Sequence, residues 1–324
     1  MISLEAIRAA HERLAPHVVR TPTVPYYGSV LEGCDLFLKL ELLQRTGSFK
    51  ARGALNVVAA LSDREREQGV VAVSAGNHAI AASWAAKAAG TSCKVVMPRA
   101  ANPFRVAQVE RHGGEIVYGD SMGDLFARYE TIRQDEGRAP VHPFEGERTF
   151  EGTAGVAVEL LTDVPDLDAV IVPVGGGGLI AGIAAAVHHL SPGTAVYGVE
   201  PDGARGMAQS LQQGEPLAKV DVSSIADSLS APLHLPLSFA IAREHVAGMV
   251  SVSDEALSEN MRFAFTDLKL AIEPACAAGL AALRGPLAKK LRGKRVAIVL
   301  CGSNIDPATW VRLAGLDTAS RSTT

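Results

Sequence analysis

The stretch "QRTGSFKARGALN", residues 44 to 56, sets Lys50 between Phe49 and Ala51, behind a Thr-Gly-Ser turn and ahead of Arg52, Gly53 and Ala54. An amine with neighbours this small and apolar is not placed like an ordinary solubilising charge. Read by itself, however, the segment favours a surface lysine in the first turn of a helix, because lysines are mostly exposed. Other parts of the chain have to decide. The strongest is "VIVPVGGGGLIAGIAAA", in which an apolar run leads into Gly175, Gly176, Gly177 and Gly178 and then into a helical pattern. Backbone N–H groups and the positive end of a helix dipole would converge there, and such a cradle suits a phosphate. One glycine suffices for a tight strand-to-helix turn, and four cost chain entropy.

Two more junctions of this kind carry polar residues. "VSAGNHAIA" places Ser74, Gly76, Asn77 and His78 where donors could hold a carboxylate, and "AIVLCGSNID" ends an apolar run with Cys301, Gly302, Ser303 and Asn304. A satisfied, capped histidine is the plainer reading of His78 alone. Polar strand ends and one lysine at the carboxyl edges of strands point to a common crevice. The glycine run also contains Gly176-x-Gly178-x-x-Ala181, followed by a strand ending in Glu200, which meets the loose dinucleotide fingerprint with its ribose-binding acid. A nicotinamide (NAD) oxidoreductase is therefore a rival to a smaller phosphorylated cofactor. The absence of Gly-Lys-Ser/Thr after the loop argues against a nucleoside triphosphate.

Composition narrows the classes. The 324 residues are 48% hydrophobic and 20% charged with a net charge of −4, which suits one large or two intertwined globular domains acting on small molecules. No basic stripe with interleaved aromatics suggests nucleic acid. Cys34, Cys93, Cys276 and Cys301 are scattered without CxxC spacing, so reduced thiols in a cytoplasm are expected. The first residues read as a Ser3-capped helix with Leu4, Ile7 and Leu14 on one face, rather than a leader. Ala169 to Val187 is uncharged but is broken by Pro173 and the glycines, so no membrane span is expected.

Apolar runs at 35–41, 69–75, 93–98, 114–119, 169–174, 195–200 and 295–300 alternate with alanine-dense helical stretches. Strands covered on both faces read this way, and the expected fold is α/β with two lobes of open, parallel-type sheets. The loop-rich, charged segment 138–155 reads as a crossing between lobes. A small lobe at 67–146 is expected inside a large one built from 1–66 and 147–324. The tail 317–324 reads as frayed.

At this point the chain resembles a known family, the fold-type II pyridoxal-phosphate (PLP) enzymes, tryptophan synthase β-like, and within them the threonine/serine dehydratases and serine racemases. The pattern K-x-E-x-x-Q-x-T-G-S-F-K-x-R-G-A stands unbroken from Lys39 to Ala54, and "SAGNHA", "GGGGLIAG" and "IEPA" (272–275) follow in the family's order. The resemblance implies that Lys50 is the Schiff-base lysine and base. It puts Phe49 beside the pyridine ring, Asn77 on its 3-hydroxyl, Gly175 to Leu179 on the phosphate and Cys301 opposite the ring nitrogen. Ser48, Ser74, Ala75, Gly76, Asn77 and His78 would surround the substrate. The implied activity is a dehydratase (ammonia-lyase) acting on a 3-hydroxy amino acid, L-threonine or L-serine foremost, with a homodimer expected. Dehydration of a hydroxyaspartate or phenylserine type of substrate, and serine racemisation, are the alternatives within the family.

Several positions depart from the family pattern. Racemases carry a second serine where this chain has Ala75, which disfavours racemisation. The family's divalent-cation site would use Glu200, Ala204 and an acid two positions on, where Gly206 stands, so the set lacks one ligand. "EGTAG" (151–155) and Ser228 replace "GQGT" and a glycine near the substrate. Arg45 could serve a second carboxylate, although a solvent-facing arginine is the simpler reading. The sequence reads to residue 324 without a regulatory extension, which is expected to disfavour a feedback-inhibited biosynthetic form.

Overall fold

The structure is a computed structural model that describes residues 2–28 and 33–316, so the tail 317–324 lies outside the described residues. Among the described residues ten strands form two sheets: β1 (Thr23–Pro25), β2 (Asp35–Lys39), β3 (Val70–Val73), β4 (Cys93–Pro98), β5 (Gly114–Gly119), β6 (Ala139–Pro140), β7 (Ala169–Pro173), β8 (Ala195–Pro201), β9 (Gly248–Val252) and β10 (Arg295–Val299). The order is β1-β2-β10-β7-β8-β9 in the larger sheet and β5-β4-β3-β6 in the smaller. All pairings are parallel except β1 with β2.

All seven strands expected from apolar runs are present. The three additional ones, β1, β6 and β9, are edge strands, and an edge strand has no partner on one side and often no helix over it. Their burial is correspondingly partial, and no continuous apolar run marks them. By contrast every residue of β7 is buried. The main core packs around the six-stranded sheet, and a second cluster lies on the smaller sheet with the alanine-rich helix Asn77–Ala88.

Helix Gly178–Leu190 is buried from Gly178 to Val187, as a helix that is apolar all round must be. It packs on helix Glu147–Asp163, where Thr153 Oγ1 donates to Gly178 O at 2.8 Å. That second helix corrects the expectation of loop up to residue 155. Its charged start, "GERTFEG", conceals a stretch from Thr149 to Ala157 that is buried at every residue but Glu151. Gly152 is required there, because a Cβ would sit 2.6 Å from the carbonyl of Arg52 on helix Lys50–Ala59.

Helices Lys50–Ala59 and Glu147–Asp163, the end of β2 and the 3₁₀ turn Glu41–Leu43 together supply a cluster of four buried charges. Arg52 donates through Nε and Nη2 to both oxygens of Glu41 at 2.8 Å, and through Nη1 and Nη2 to both oxygens of Glu159 at 2.8 Å. Lys39 Nζ reaches Glu159 and the carbonyl of Thr21, each at 2.7 Å. Burial opposes the charge of both basic groups. It wins for Lys39, whose pKa falls, while the carboxylates keep Arg52 firmly protonated.

A buried ion pair that loses one partner leaves an uncompensated charge behind. Arg52→Met is expected to lower unfolding free energy by about 3–5 kcal/mol in urea titrations. Adding Glu41→Gln, which leaves Lys39 and Glu159 as a neutral pair, should recover part of that loss. No recovery in the double variant would show that packing, not charge, sets the cost.

Candidate active site

Lys50 is the first residue of helix Lys50–Ala59, and that helix has no side-chain cap. Its start is held instead by the end of β10. Phe49 N donates to Cys301 O at 3.1 Å, Ser303 N donates to Gly47 O at 2.9 Å, and Ser48 forms an antiparallel bridge with Gly302. Gly47 makes the reversal possible at φ +70°, where a Cβ would also meet the Asn304 side chain at 2.7 Å. The amine of Lys50 donates to the carbonyl of Pro143 and lies 5.1 Å from the Phe49 ring centroid. Although the residue keeps some surface toward a cavity, the protein packed around its nitrogen lowers the pKa to about 8, against partial compensation from Glu273.

Two adjoining cavities share Lys50, Asn77, Phe144, Gly176 and Ser228 as walls. The deeper one brings together Phe49, Lys50, Asn77, Gly175 to Leu179, Glu273 and Cys301. The outer one, about 320 Å³, adds Ser74, Ala75, Gly76, His78, Arg105 and Asp227. Of the residues singled out as cofactor or substrate groups, only Ser48 lines neither. It is fully buried, and its Oγ has no hydrogen-bond partner.

The glycine run fits a phosphate. Gly177 adopts φ +97°, and a Cβ on Gly176 would fall 2.2 Å from the Phe144 ring, so the backbone lies bare beneath that side chain. The first amides of helix Gly178–Leu190 have no intrahelical acceptor and point to its N-terminal end. The turn before helix Asn77–Ala88 offers a second such end, with Gly76 N accepted by Ser74 Oγ at 3.1 Å.

Several side chains are neutral or already engaged. His78 Nε2 lies 2.8 Å from the carbonyl of Val141 and so carries the proton, and burial takes its pKa down to about 3, which makes it a satisfied neutral histidine rather than a cation for a carboxylate. Asn77 Nδ2 donates to Glu273 Oε1 at 2.7 Å, while its Oδ1 accepts from Asn304 Nδ2 at 2.7 Å; the remaining N–H is 3.4 Å from Ser228 Oγ. Cys301 is held well above the ordinary thiol pKa by its hydrogen bond with Cys276 and by burial, so it is neutral. Burial raises Glu273 to about 6 despite Arg105.

The candidate metal ligands do not fit a cation. Both oxygens of Glu200 accept backbone N–H groups at the start of helix Gly206–Gln213, from Met207 at 2.7 Å and Ala208 at 2.9 Å. Ala204 lies in the preceding 3₁₀ turn, and a Cβ at Gly206 would meet His234 Nε2 at 2.4 Å. Among the described residues no cluster of three His, Cys, Asp or Glu side chains is arranged for a metal. The same bonds, and its burial, engage Glu200 within the fold, which weakens the acid half of the dinucleotide fingerprint that supported a nicotinamide cofactor. Arg45 is exposed and donates to the carbonyl of His17, outside both cavities.

Residues not picked out from sequence also meet here. His142 Nδ1 accepts from Phe144 N at 3.3 Å and Glu145 N at 3.0 Å, shaping the turn that carries Pro143. Arg105, Asp227 and Glu273 come from positions up to 168 residues apart (273 − 105), so no local pattern joins them. Glu273 alone had a signal, as the acid of "IEPA".

Residues 14–302 match the model of a family described as pyridoxal-phosphate dependent enzyme. The chain is 46% identical over 314 residues to phenylserine dehydratase from Ralstonia pickettii, covering 97% of this chain and 96% of that one. It is 36% identical to a catabolic L-threonine dehydratase of Escherichia coli, over 97% and 96% of the two chains. Maize serine racemase superposes with a TM-score of 0.90 at 34% identity, covering 99% of each chain. With its parallel sheets, lysine-headed helix and glycine cradle, the chain belongs to the pyridoxal-phosphate dependent enzymes of fold type II.

Proposed function

We propose that this protein is an ammonia-lyase that dehydrates a 3-hydroxy amino acid to a 2-oxo acid and ammonia. Threonine, serine and phenylserine are the leading substrates. The observation that carries the reading is the position of Lys50 Nζ in a cavity bounded by two helix N-termini, one lined with glycine and the other with Ser74 to Asn77. Gly175 to Leu179 would hold a phosphate, and the amides of Asn77 and His78, beside Ser74 and Gly76, the substrate carboxylate. Bound through Lys50, pyridoxal phosphate supplies an electron sink for the pair left at Cα.

The chain's own groups do the rest. Released as a free amine, Lys50 takes the Cα proton, for which a pKa near 8 is better matched than the 10.5 of an exposed lysine. The β-hydroxyl leaves with a proton as water, and the resulting enamine, once freed, tautomerises and hydrolyses to the 2-oxo acid. Cys301, a neutral thiol, offers no negative charge to keep a ring nitrogen protonated, which suits prompt elimination over a long-lived carbanion. Ala75 has no proton to return from the opposite face, so racemisation is secondary. An apolar outer wall that includes Met122, Phe144 and Pro232, together with the likeness to phenylserine dehydratase, supports an aryl substituent as well as methyl. We further take 67–146 as the small lobe, a homodimer as the assembly and the cytoplasm as the compartment; no helix among the described residues is long and apolar enough to cross a membrane.

Purified protein should be yellow, with a visible band that borohydride bleaches. Lys50→Ala should remove the band and lower ammonia release from threonine, serine or phenylserine by roughly 10³-fold or more. A colourless, active enzyme would refute the proposal. Only the neutral amine attacks an aldehyde, so the rate at which apoenzyme captures pyridoxal phosphate should rise with pH and level off above about 8. Stopped-flow absorbance across pH 6 to 10 measures this; a midpoint near 10 would mean that burial does not activate Lys50. Ala75→Ser should increase D-serine formation from L-serine, seen by chiral chromatography.

A further inference from the structure

The outer cavity has two cationic side chains in its wall, Lys50 and Arg105, and one carboxylate, Asp227. Lys50 must be neutral to act as a base. Arg105 comes from helix Pro103–Arg111 of the smaller sheet's region and is nearly buried, and its guanidinium lies 3.6 Å from where a Cβ on Gly76 would project. It does not face the cavity unmatched. Nη1 and Nη2 both bond to the carboxylate of Asp227, the second at 3.2 Å, and Nε donates to the carbonyl of Asn304 at 3.2 Å. Asp227 itself remains more than half exposed beside the cavity. His78 adds no charge, since it donates to Val141 as a neutral ring.

Charge therefore balances in a particular way. The helix N–H groups of Asn77 and His78 can take one carboxylate. No cation is left over for a second, and a second carboxylate would approach Asp227. Of the remaining walls, Val73, Met122, Pro143, Phe144, Ala231 and Pro232 are apolar, and Ser228 and Ser230 add hydroxyls that carry no charge. We infer that Asp227, by neutralising Arg105 at the cavity wall, is the specificity-determining residue that restricts the site to amino acids with an uncharged β-substituent and rejects β-carboxylates. The inference rests on the reading of this cavity as the amino acid site of a pyridoxal-phosphate enzyme.

Like charges brought together in a desolvated site oppose binding, and removing one relieves the penalty. The test uses holoenzyme and two amino acids without a leaving hydroxyl, aspartate and phenylalanine, titrated by the change in cofactor absorbance. Wild type should bind phenylalanine at least roughly tenfold more tightly than aspartate. Asp227→Asn should narrow that ratio by about tenfold, through tighter aspartate binding, because Arg105 is then free to take the second carboxylate. Asp227→Ser serves if the first variant does not fold. In Asp227→Asn/Arg105→Met the gain for aspartate should vanish. Equal wild-type affinities, or a ratio unmoved by both Asp227 variants, would overturn the inference. Ammonia release from phenylserine and 3-hydroxyaspartate is measured in parallel. Turnover of neither, with the binding ratios as expected, would fail the lyase reading and leave the inference standing.

Discussion

The guanidinium of Arg52, enclosed by two carboxylates and a backbone carbonyl, is the constraint on which the position of Lys50 depends. Helix Lys50–Ala59 starts without a capping side chain, and an uncapped start frays unless something else fixes it. Two residues into the helix, Arg52 ties it to the 3₁₀ turn Glu41–Leu43 after β2 and to helix Glu147–Asp163, while Lys39 closes the cluster to neutrality. Burying four charges gains little net stability, because desolvation consumes most of the Coulomb energy. Its yield is register: bidentate contacts along two edges of one planar group admit a single rotation of the helix, so the side chain at its head has one direction.

A second network ties that head to the smaller sheet. Asn77, at the start of the helix that follows β3, is clamped between Glu273 and Asn304 of the larger sheet's loops. Asn304 in turn donates to Thr46 O, two residues before Ser48. The turn bearing the candidate carboxylate donors and the turn bearing Lys50 therefore share one amide. Movement of the smaller sheet relative to the larger would have to break or carry these bonds, together with Asn102 to Asp306 and Arg105 to Asp227.

Much of this was legible in the sequence, for a definite reason. Central parallel strands and the buried helices beside them must be apolar throughout, so seven strands and the three loops after β3, β7 and β10 stand out as runs and punctuation. The edge strands lack that requirement: β5 still carries an apolar run, whereas β1, β6 and β9 do not and were not seen. Lys39, Glu41 and Arg52 were visible as parts of a family pattern, but their physical role was not, because Glu159 lies 107 residues beyond Arg52. The helical start at Glu147 was hidden by its own composition, since charge next to glycine reads as loop even when the following turn is buried. Glu200 stood at a strand end, where an acid suggests a ligand; only the helix at Gly206 shows that both of its oxygens are taken.

What unites the site is the suppression of charge. His78, His142 and Cys301 are all driven toward their neutral forms by burial or by a neighbouring hydrogen bond, and the lysine is brought within reach of neutrality. Anions are to be held by backbone dipoles at helix ends, which bring a fixed partial positive charge without a titrating group. That division of labour has a chemical consequence. A cationic side chain beside Lys50 would depress its basicity further, and an anionic one would hold its proton; dipoles fixed in the backbone orient a carboxylate while leaving the proton affinity of the amine to be set mainly by burial. The cradle and the base can coexist within one small cavity because the first is made of peptide groups and the second is the side chain that must change its protonation.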